Sequence, residues 1–372
     1  MNTEEYNAVL DAPVQTRKGE ELDAVRLADY LRQTIDGMAG GLEIEQFPSG
    51  FSNLTYMLGA VVKGERKEYV LRRPPFGANI KSAHDMEREY KVLRALREPY
   101  PKVPEPIAYC DDVSIVGSPF YVMERVQGVI LRNKKPEALD LSAPVMKSLS
   151  TMVVDNLAAL HAVNIATPEL QSLGKPDGYV RRQVEGWLKR YENAKTDDIA
   201  HITTIAEWLL ANIPNETDQN APTLIHNDYK YDNVVFTPNL SSISAVLDWE
   251  MATIGDPLMD LGTTLGYWAE EDDPIPLKMF GLTALEGNLT REEVVMRYAD
   301  QSGRKIDHIV FYYVFGLMKI IVIAQQIYAR FKQGFTKDPR FGGLIFVVQA
   351  GADTAYKALQ SGKLRNDKKI SS

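Results

Sequence analysis

The sequence predicts an α+β chain of two lobes, a small antiparallel-sheet lobe over residues 1–125 and a larger, mainly helical lobe over residues 126–372. Three observations carry that expectation. Short β-rich runs broken by Pro, Gly, Ser and Asn dominate the first third, as in "LEIEQFPSGFSNLTYMLGAVV" and "EYVLRRPP". Beyond Gly128 apolar residues recur three and four apart, the spacing of amphipathic helices. The length, 372 residues, exceeds what one compact core usually holds.

The elements follow in order. "GEELDAVRLADYLRQTI" has helical spacing and should open the ordered core. The strands after it are joined at Ser49 and Gly50, and "SAHDMEREYKVLRALRE" then returns to a helix, with Ser82 placed to cap it and Met86, Tyr90, Leu93 and Leu96 forming one stripe. "EPYPKVPEPI" stops that helix, because Pro disfavours helical geometry at itself and at the residue before it. "IAYC" and "FYVMERV" complete five strands. Helical patterns follow from "VMKSLSTMVVDNLAALHAV" to roughly 305–332 and 341–362, interrupted by a strand-rich insertion around "ISAVLDWEMATIGDP". Thr290 and Glu293 stand at capping-box spacing before one of these helices. A cleft between the lobes is the expected place for a site.

Composition sets the boundaries of function. With 45% apolar and 25% charged residues, the chain reads as an ordinary globular protein. Fifty acidic residues against 42 basic ones give a net charge of −8, which argues against nucleic acid as the main partner. The single cysteine, Cys110, allows neither an intrachain disulfide nor a thiolate metal cluster, so a reducing cytoplasm is the expected location. "MNTEEYNAVL" lacks the basic and apolar stretches of a signal peptide. "IVFYYVFGLMKIIVIA" is broken by Lys319 and is read as a buried helix, too short to span a bilayer.

The chemistry concentrates in "LIHNDYKYDNVVF", where apolar, strand-like flanks hold His226, Asp228 and Asn233 in one loop. Fifteen residues after Asn233 a second apolar run ends in Asp248, followed by "WEMATIGDPLMDL". An Asp and an Asn oxygen on adjoining strands suit a hard cation such as Mg²⁺, and a second Asp can accept a proton from an attacking hydroxyl. That donor set fits phosphoryl transfer.

With these motifs the sequence resembles the aminoglycoside phosphotransferase and choline kinase superfamily, across roughly residues 25–350, and within it the kinase-like domains fused to some acyl-CoA dehydrogenases. The resemblance implies a two-lobed, protein-kinase-like fold and an ATP- and Mg²⁺-dependent transfer of a phosphoryl group to a small molecule's hydroxyl. It makes Asp228 the catalytic base, gives His226 the positioning of the loop, and assigns Mg²⁺ to Asn233 and Asp248. "FPSGFSNLTY" takes the place of the phosphate-covering loop, with donors from Ser49, Gly50, Ser52 and Asn53. Arg72 stands where the family's phosphate-binding Lys is expected, keeping the charge but changing its geometry, and Glu89 matches its acidic partner. Glu124 to Val126 match the connector that offers backbone groups to adenine. The closest resemblance implies a hydroxylated acyl compound as acceptor, beside the aminoglycosides, macrolides and choline of the wider family.

Plainer readings stand beside these. Asp228, Asn233 and Asp248 are residue types that also favour turns. His226 fits a scaffold role better than direct chemistry, and Asp256 is read as supporting the catalytic loop and capping local backbone. His161 reads as a helix-end residue. "EEDD" at 270–273 would attract a cationic substrate or simply be a solvated loop, and Tyr267 and Trp268 would stack on substrate or fill the core. Arg72 and the degenerate phosphate loop also admit a catalytically inactive nucleotide-binding module. No long activation segment separates Asp248 from "DPLMDL", which favours small acceptors over proteins.

Overall fold

The computed structural model describes residues 12–47, 53–75, 85–215, 219–336 and 338–365. The chain divides into two compact units, Met1–Ile130 with Val235–Met251, and Leu131–Val234 with Ala252–Ser372.

The first unit is built on a five-stranded antiparallel sheet in the order β1-β2-β3-β5-β4, from β1 (Met38–Gln46), β2 (Leu54–Val62), β3 (Glu65–Arg73), β4 (Pro106–Cys110) and β5 (Phe120–Glu124). β2 and β3 form a tight hairpin through Lys63 and Gly64, both at positive φ (52° and 85°), the backbone that a two-residue turn needs to match strand twist. Alternation then sorts side chains onto two faces. Tyr56, Leu58, Ala60 and Val62 of β2, Tyr69 and Leu71 of β3, and Phe120 and Val122 of β5 join one core with Leu27, Ala28 and Leu31 of helix α1 (Ala24–Thr34). Each such buried Leu or Val is worth about 1.5–3 kcal/mol. The other face meets helix α2 (Met86–Leu96). Its N-cap is Asp85, whose carboxylate accepts from Arg88 N–H, rather than Ser82, which lies outside the described residues.

A small sheet of β6 (Val129–Ile130), β8 (Val234–Phe236) and β9 (Ile243–Val246) carries the insertion. The sequence placed all of 126–372 in the second lobe, whereas Val235–Met251 belongs with the first unit. Three contacts explain this: β8 pairs with β6, Val246 N–H donates to Lys102 O (2.8 Å), and the Trp249 ring packs edge-on to Tyr100.

The second unit is helical: α3 (Ala143–His161), α4 (Tyr179–Ala194), α5 (Ile202–Ala211), α6 (Pro257–Tyr267), α7 (Arg291–Ser302), α8 (Ile309–Lys332) and α9 (Leu344–Ser361), with shorter turns between. Strands β7 (Thr223–Ile225) and β10 (Thr253–Gly255) pair antiparallel within it. The capping box predicted at Thr290 and Glu293 is present and starts α7. At 24 residues α8 is long and apolar enough to cross a bilayer, contrary to the shorter run expected. It packs instead against α4, α6 and α9, with most of its apolar surface buried. The α6–α8 crossing is close because Gly262 and Gly316 face each other, and a Cβ on either would overlap backbone of the other helix.

Candidate active site

Strand alternation decides which of two adjacent arginines serves a site in the first unit. Arg73 falls on the α1 side, where its guanidinium donates to the carbonyls of Pro74 (3.1 Å) and Val116. Arg72 falls on the α2 side, opposite Tyr121 in register and 8% exposed. Its Nη1 donates to Glu89 Oε1 at 2.5 Å and its Nη2 to Asp248 Oδ1 at 2.9 Å, with Glu250 Oε2 at 3.8 Å. Burial opposes the Arg72 charge, but Glu89, Tyr121, Asp248 and Glu250 outweigh it and hold the guanidinium protonated well above its ordinary range. The same burial pushes the Glu89 carboxyl up, against the pull of Arg72.

The structure thus pairs Arg72 with Glu89, as the sequence expected, and adds Asp248 and Glu250 as further acidic partners of Arg72. Asn53 Nδ2 donates to Glu250 Oε2 at 2.9 Å and Arg88 Nη1 to the Glu250 carbonyl at 3.1 Å. Asn53 was expected to offer donors to phosphate; its amide is engaged by Glu250 instead. The signal for Glu250 was the residue following Trp249 in "LDWE", of which only the Asp was given a role. Asp248 itself has φ 67°, a left-handed conformation that Asp and Asn tolerate best. Ser49, Gly50 and Ser52 lie outside the described residues. At the connector, Glu124 N–H donates to Glu105 O (2.8 Å) and Arg125 N–H to Glu68 O (3.2 Å). Peptide alternation therefore turns the Arg125 groups toward β3, and those of Glu124 and Val126 toward the other edge.

In the second unit β7 delivers the chain into the loop His226–Asn233, which ends in a short turn, Tyr231–Asn233. Asp228 lies at its centre. Its Oδ2 accepts from Lys230 Nζ at 2.8 Å and from Asn233 Nδ2 at 3.0 Å, and Asn233 Nδ2 also donates to the Asp228 carbonyl at 2.8 Å. Asn233 directly precedes β8, and Asp248 follows β9 with only Leu247 between. Lys230 Nζ also stands 4.6 Å from the Tyr267 ring centroid. Burial lowers the tendency of Lys230 to hold its proton, but the Asp228 carboxylate more than offsets this and raises it.

The loop is pinned from below. Asp260, fully buried on α6, accepts from His226 N–H and Asn227 N–H, each at 2.7 Å. His161 Nε2 meets the same carboxylate at 3.1 Å, and its Nδ1 meets the Tyr298 hydroxyl at 2.6 Å. Burial would raise Asp260, but His161, His226 and the backbone donors hold its carboxyl below the usual range. Asn227 sits at φ 67° with Nδ2 donating to the Tyr179 hydroxyl (3.1 Å), and Lys319 Nζ donates to the Asn227 carbonyl. His226 Nδ1 accepts from Asp228 N–H at 3.2 Å, a scaffold role. Burial pulls the Lys319 ammonium down to about 8, against Asp228 and Asp260.

Several readings need correction. Asp256 caps α6 through Leu258 N–H and accepts from the Tyr312 hydroxyl, but it is Asp260 that supports the loop carrying Asp228. His161 does end α3, yet it is buried and belongs to this support. Glu270 and Asp273 are engaged by the buried Arg291, so "EEDD" is neither a free acidic patch nor a wholly solvated loop. Tyr267 and Trp268 are buried; Trp268 donates to Leu289 O, and both line a small pocket beside the loop with Lys230, Tyr231, Thr264 and Phe280. Lys230 and Lys319 were both overlooked. Lys230 stands two residues past Asp228 in the motif itself, whereas nothing in the pattern around Lys319 pointed to the loop.

The two-lobed fold, with an acid-paired cation on β3 and an Asp–Asn loop in a helical unit, defines a small-molecule kinase-like class. The family model described as the phosphotransferase enzyme family matches residues 43–294, and the chain belongs to that family. It is 36% identical over 346 residues to human acyl-CoA dehydrogenase family member 11, covering 91% of this chain but 43% of that protein, so the chain spans less than half the length of this relative. Among solved structures, a Ralstonia eutropha chain assigned to the aminoglycoside phosphotransferases is 30% identical, with a TM-score of 0.74 over 91% of this chain and 99% of that one. Spectinomycin phosphotransferase in complex with ADP and spectinomycin is 13% identical, with a TM-score of 0.55 over 90% and 94%. That last likeness is one of fold.

Proposed function

We propose that this protein is an ATP- and Mg²⁺-dependent phosphotransferase that phosphorylates a hydroxyl group of a small molecule. One observation carries the reading: Asp228 Oδ2 is held between Lys230 Nζ (2.8 Å) and Asn233 Nδ2 (3.0 Å), in a loop whose backbone is pinned by Asp260. A carboxylate fixed in that way can take a proton without moving.

Each residue then has a task. Asp228 accepts the proton of the acceptor hydroxyl as its oxygen bonds the γ-phosphorus and the bond to the β–γ bridging oxygen breaks. Lys230, protonated beside it, offsets charge that develops there. Arg72, fixed by Glu89, grips phosphate oxygens, and the carbonyl of Glu124 and the N–H of Val126 are offered to adenine. Asn233 and Asp248, which bracket the β8–β9 hairpin in the chain, supply amide and carboxylate oxygens, the donor chemistry that would hold a hard cation. When bound, Mg²⁺ would neutralise phosphate charge.

Support for ATP comes from the fold shared with the ADP-bound spectinomycin enzyme. The likeness to an acyl-CoA dehydrogenase family member supports a hydroxylated acyl acceptor, such as a hydroxyacyl-CoA, over an antibiotic. A second reading, nucleotide binding without turnover, rests on Arg72 replacing the expected Lys and being held by three acidic groups. The test is ADP release from Mg·ATP across hydroxyacyl-CoAs, hydroxy acids, aminoglycosides and choline, with Asp248→Ala as blank. Stimulation by one class, absent from the blank, supports the kinase reading. ATP binding with no stimulation by any class favours the second.

A further inference from the structure

We infer that Lys319, in the middle of α8, is a positioning residue that sets the orientation of Asp228 by clamping the peptide plane between Asn227 and Asp228. The inference rests on Asp228 being the base, as proposed above.

That single peptide is held at both of its polar ends. Its oxygen, the Asn227 carbonyl, accepts from Lys319 Nζ; its N–H, that of Asp228, donates to His226 Nδ1 at 3.2 Å. Asn227 also occupies the left-handed region at φ 67°, which Asn tolerates better than most non-glycine residues. Asp260 fixes the preceding N–H groups and Tyr179 the Asn227 side chain, yet neither constrains the rotation of the 227–228 peptide itself. Lys319 does so. Its side chain is 2% exposed, with Nζ 5.5 Å from the Trp187 ring centroid. A buried ammonium is costly unless paired, and here it donates to the Asn227 carbonyl. The close α6–α8 crossing at Gly262 and Gly316 places Lys319, one turn beyond Gly316, against the loop.

The experiment compares Lys319→Met and Lys319→Gln with the wild-type chain, reading steady-state kinetics and hydrogen exchange at the Asp228 amide. Met keeps length and burial but removes the donor; Gln restores a donor. For Lys319→Met we expect kcat to fall at least thirtyfold, KM for ATP to change less than threefold, and Asp228 amide exchange to quicken at least tenfold. Lys319→Gln should recover part of both. A double variant with His226→Asn should lose less than the product of the single losses, because both residues act on one peptide.

If Lys319→Met keeps kcat within threefold, or leaves Asp228 amide exchange unchanged, the inference is wrong. Should Lys319→Met not fold, Lys319→Leu, which also lacks a donor, carries the exchange measurement, and wild-type exchange there overturns the inference. Absence of turnover in the wild-type chain with every acceptor would count against the proposed function, while amide exchange would still decide the role of Lys319.

Discussion

Asp260 Oδ2 and Oδ1 accept from the backbone N–H groups of His226 and Asn227, at 2.7 Å each. One carboxylate on α6 thereby fixes the entry to the loop that carries Asp228. Asp260→Asn would set an NH₂ against one of those N–H groups, leaving a buried donor unsatisfied at a cost of about 1–3 kcal/mol. The expected outcome is that loss in urea unfolding, together with a fall in kcat of at least tenfold. Unchanged stability would mean that water or another acceptor replaces the carboxylate.

Arg72 is held by Glu89 and Asp248 at once, which a planar guanidinium can do and a single ammonium does less well. Arg72→Ala strands the buried Glu89 and should cost about 3–5 kcal/mol. Arg72→Lys should keep the Glu89 pair, recover most of that stability, and hold Kd for ATP within tenfold. Titration calorimetry and chemical unfolding of both variants check this. Equal losses in the two would show that charge at this position is not what matters.

Asp256 offers a test by pH. Burial raises its carboxyl to about 6 in the folded chain, against an ordinary value near 3.8. The folded state therefore binds this proton more tightly than the unfolded one. Its contribution to stability is fully present below about pH 3.8 and is lost as pH rises through about 6. Asp256→Asn keeps an oxygen for Leu258 N–H and should flatten this part of the profile, seen as a smaller stability difference between pH 4 and pH 7. A profile identical to the wild type would contradict the raised value.

Much of this was legible in the sequence because local rules governed it. The period-two pattern of β2 and β3 put Arg72 on the face opposite Leu71, and the spacing in "HNDYKYDN" put Asp228 and Asn233 in one short loop. What escaped were long-range choices. Asp256 and Asp260 are both acidic residues of "GDPLMDL", one at the N-cap of α6 and one a turn inside it, and only packing shows which reaches the loop. Lys319 looked like a charge interrupting an apolar helix, since its partner lies 92 residues away. The acidic run at 270–273 read as solvated because Arg291, which pairs with two of its members, follows at a distance that no local pattern marks. The association of Val235–Met251 with the first unit depends on pairing to β6, again a tertiary decision.

The most direct test of the account replaces the base. Phosphate transfer from labelled ATP to a responsive hydroxyl acceptor would be measured for wild-type and Asp228→Ala chains, with ATP affinity taken by calorimetry on the same preparations. The account predicts at least a thousandfold loss of transfer, with ATP affinity unchanged within about threefold, because Asp228 acts on the acceptor's proton. Transfer surviving within a few-fold would contradict it, and would remove Asp228 from the chemistry.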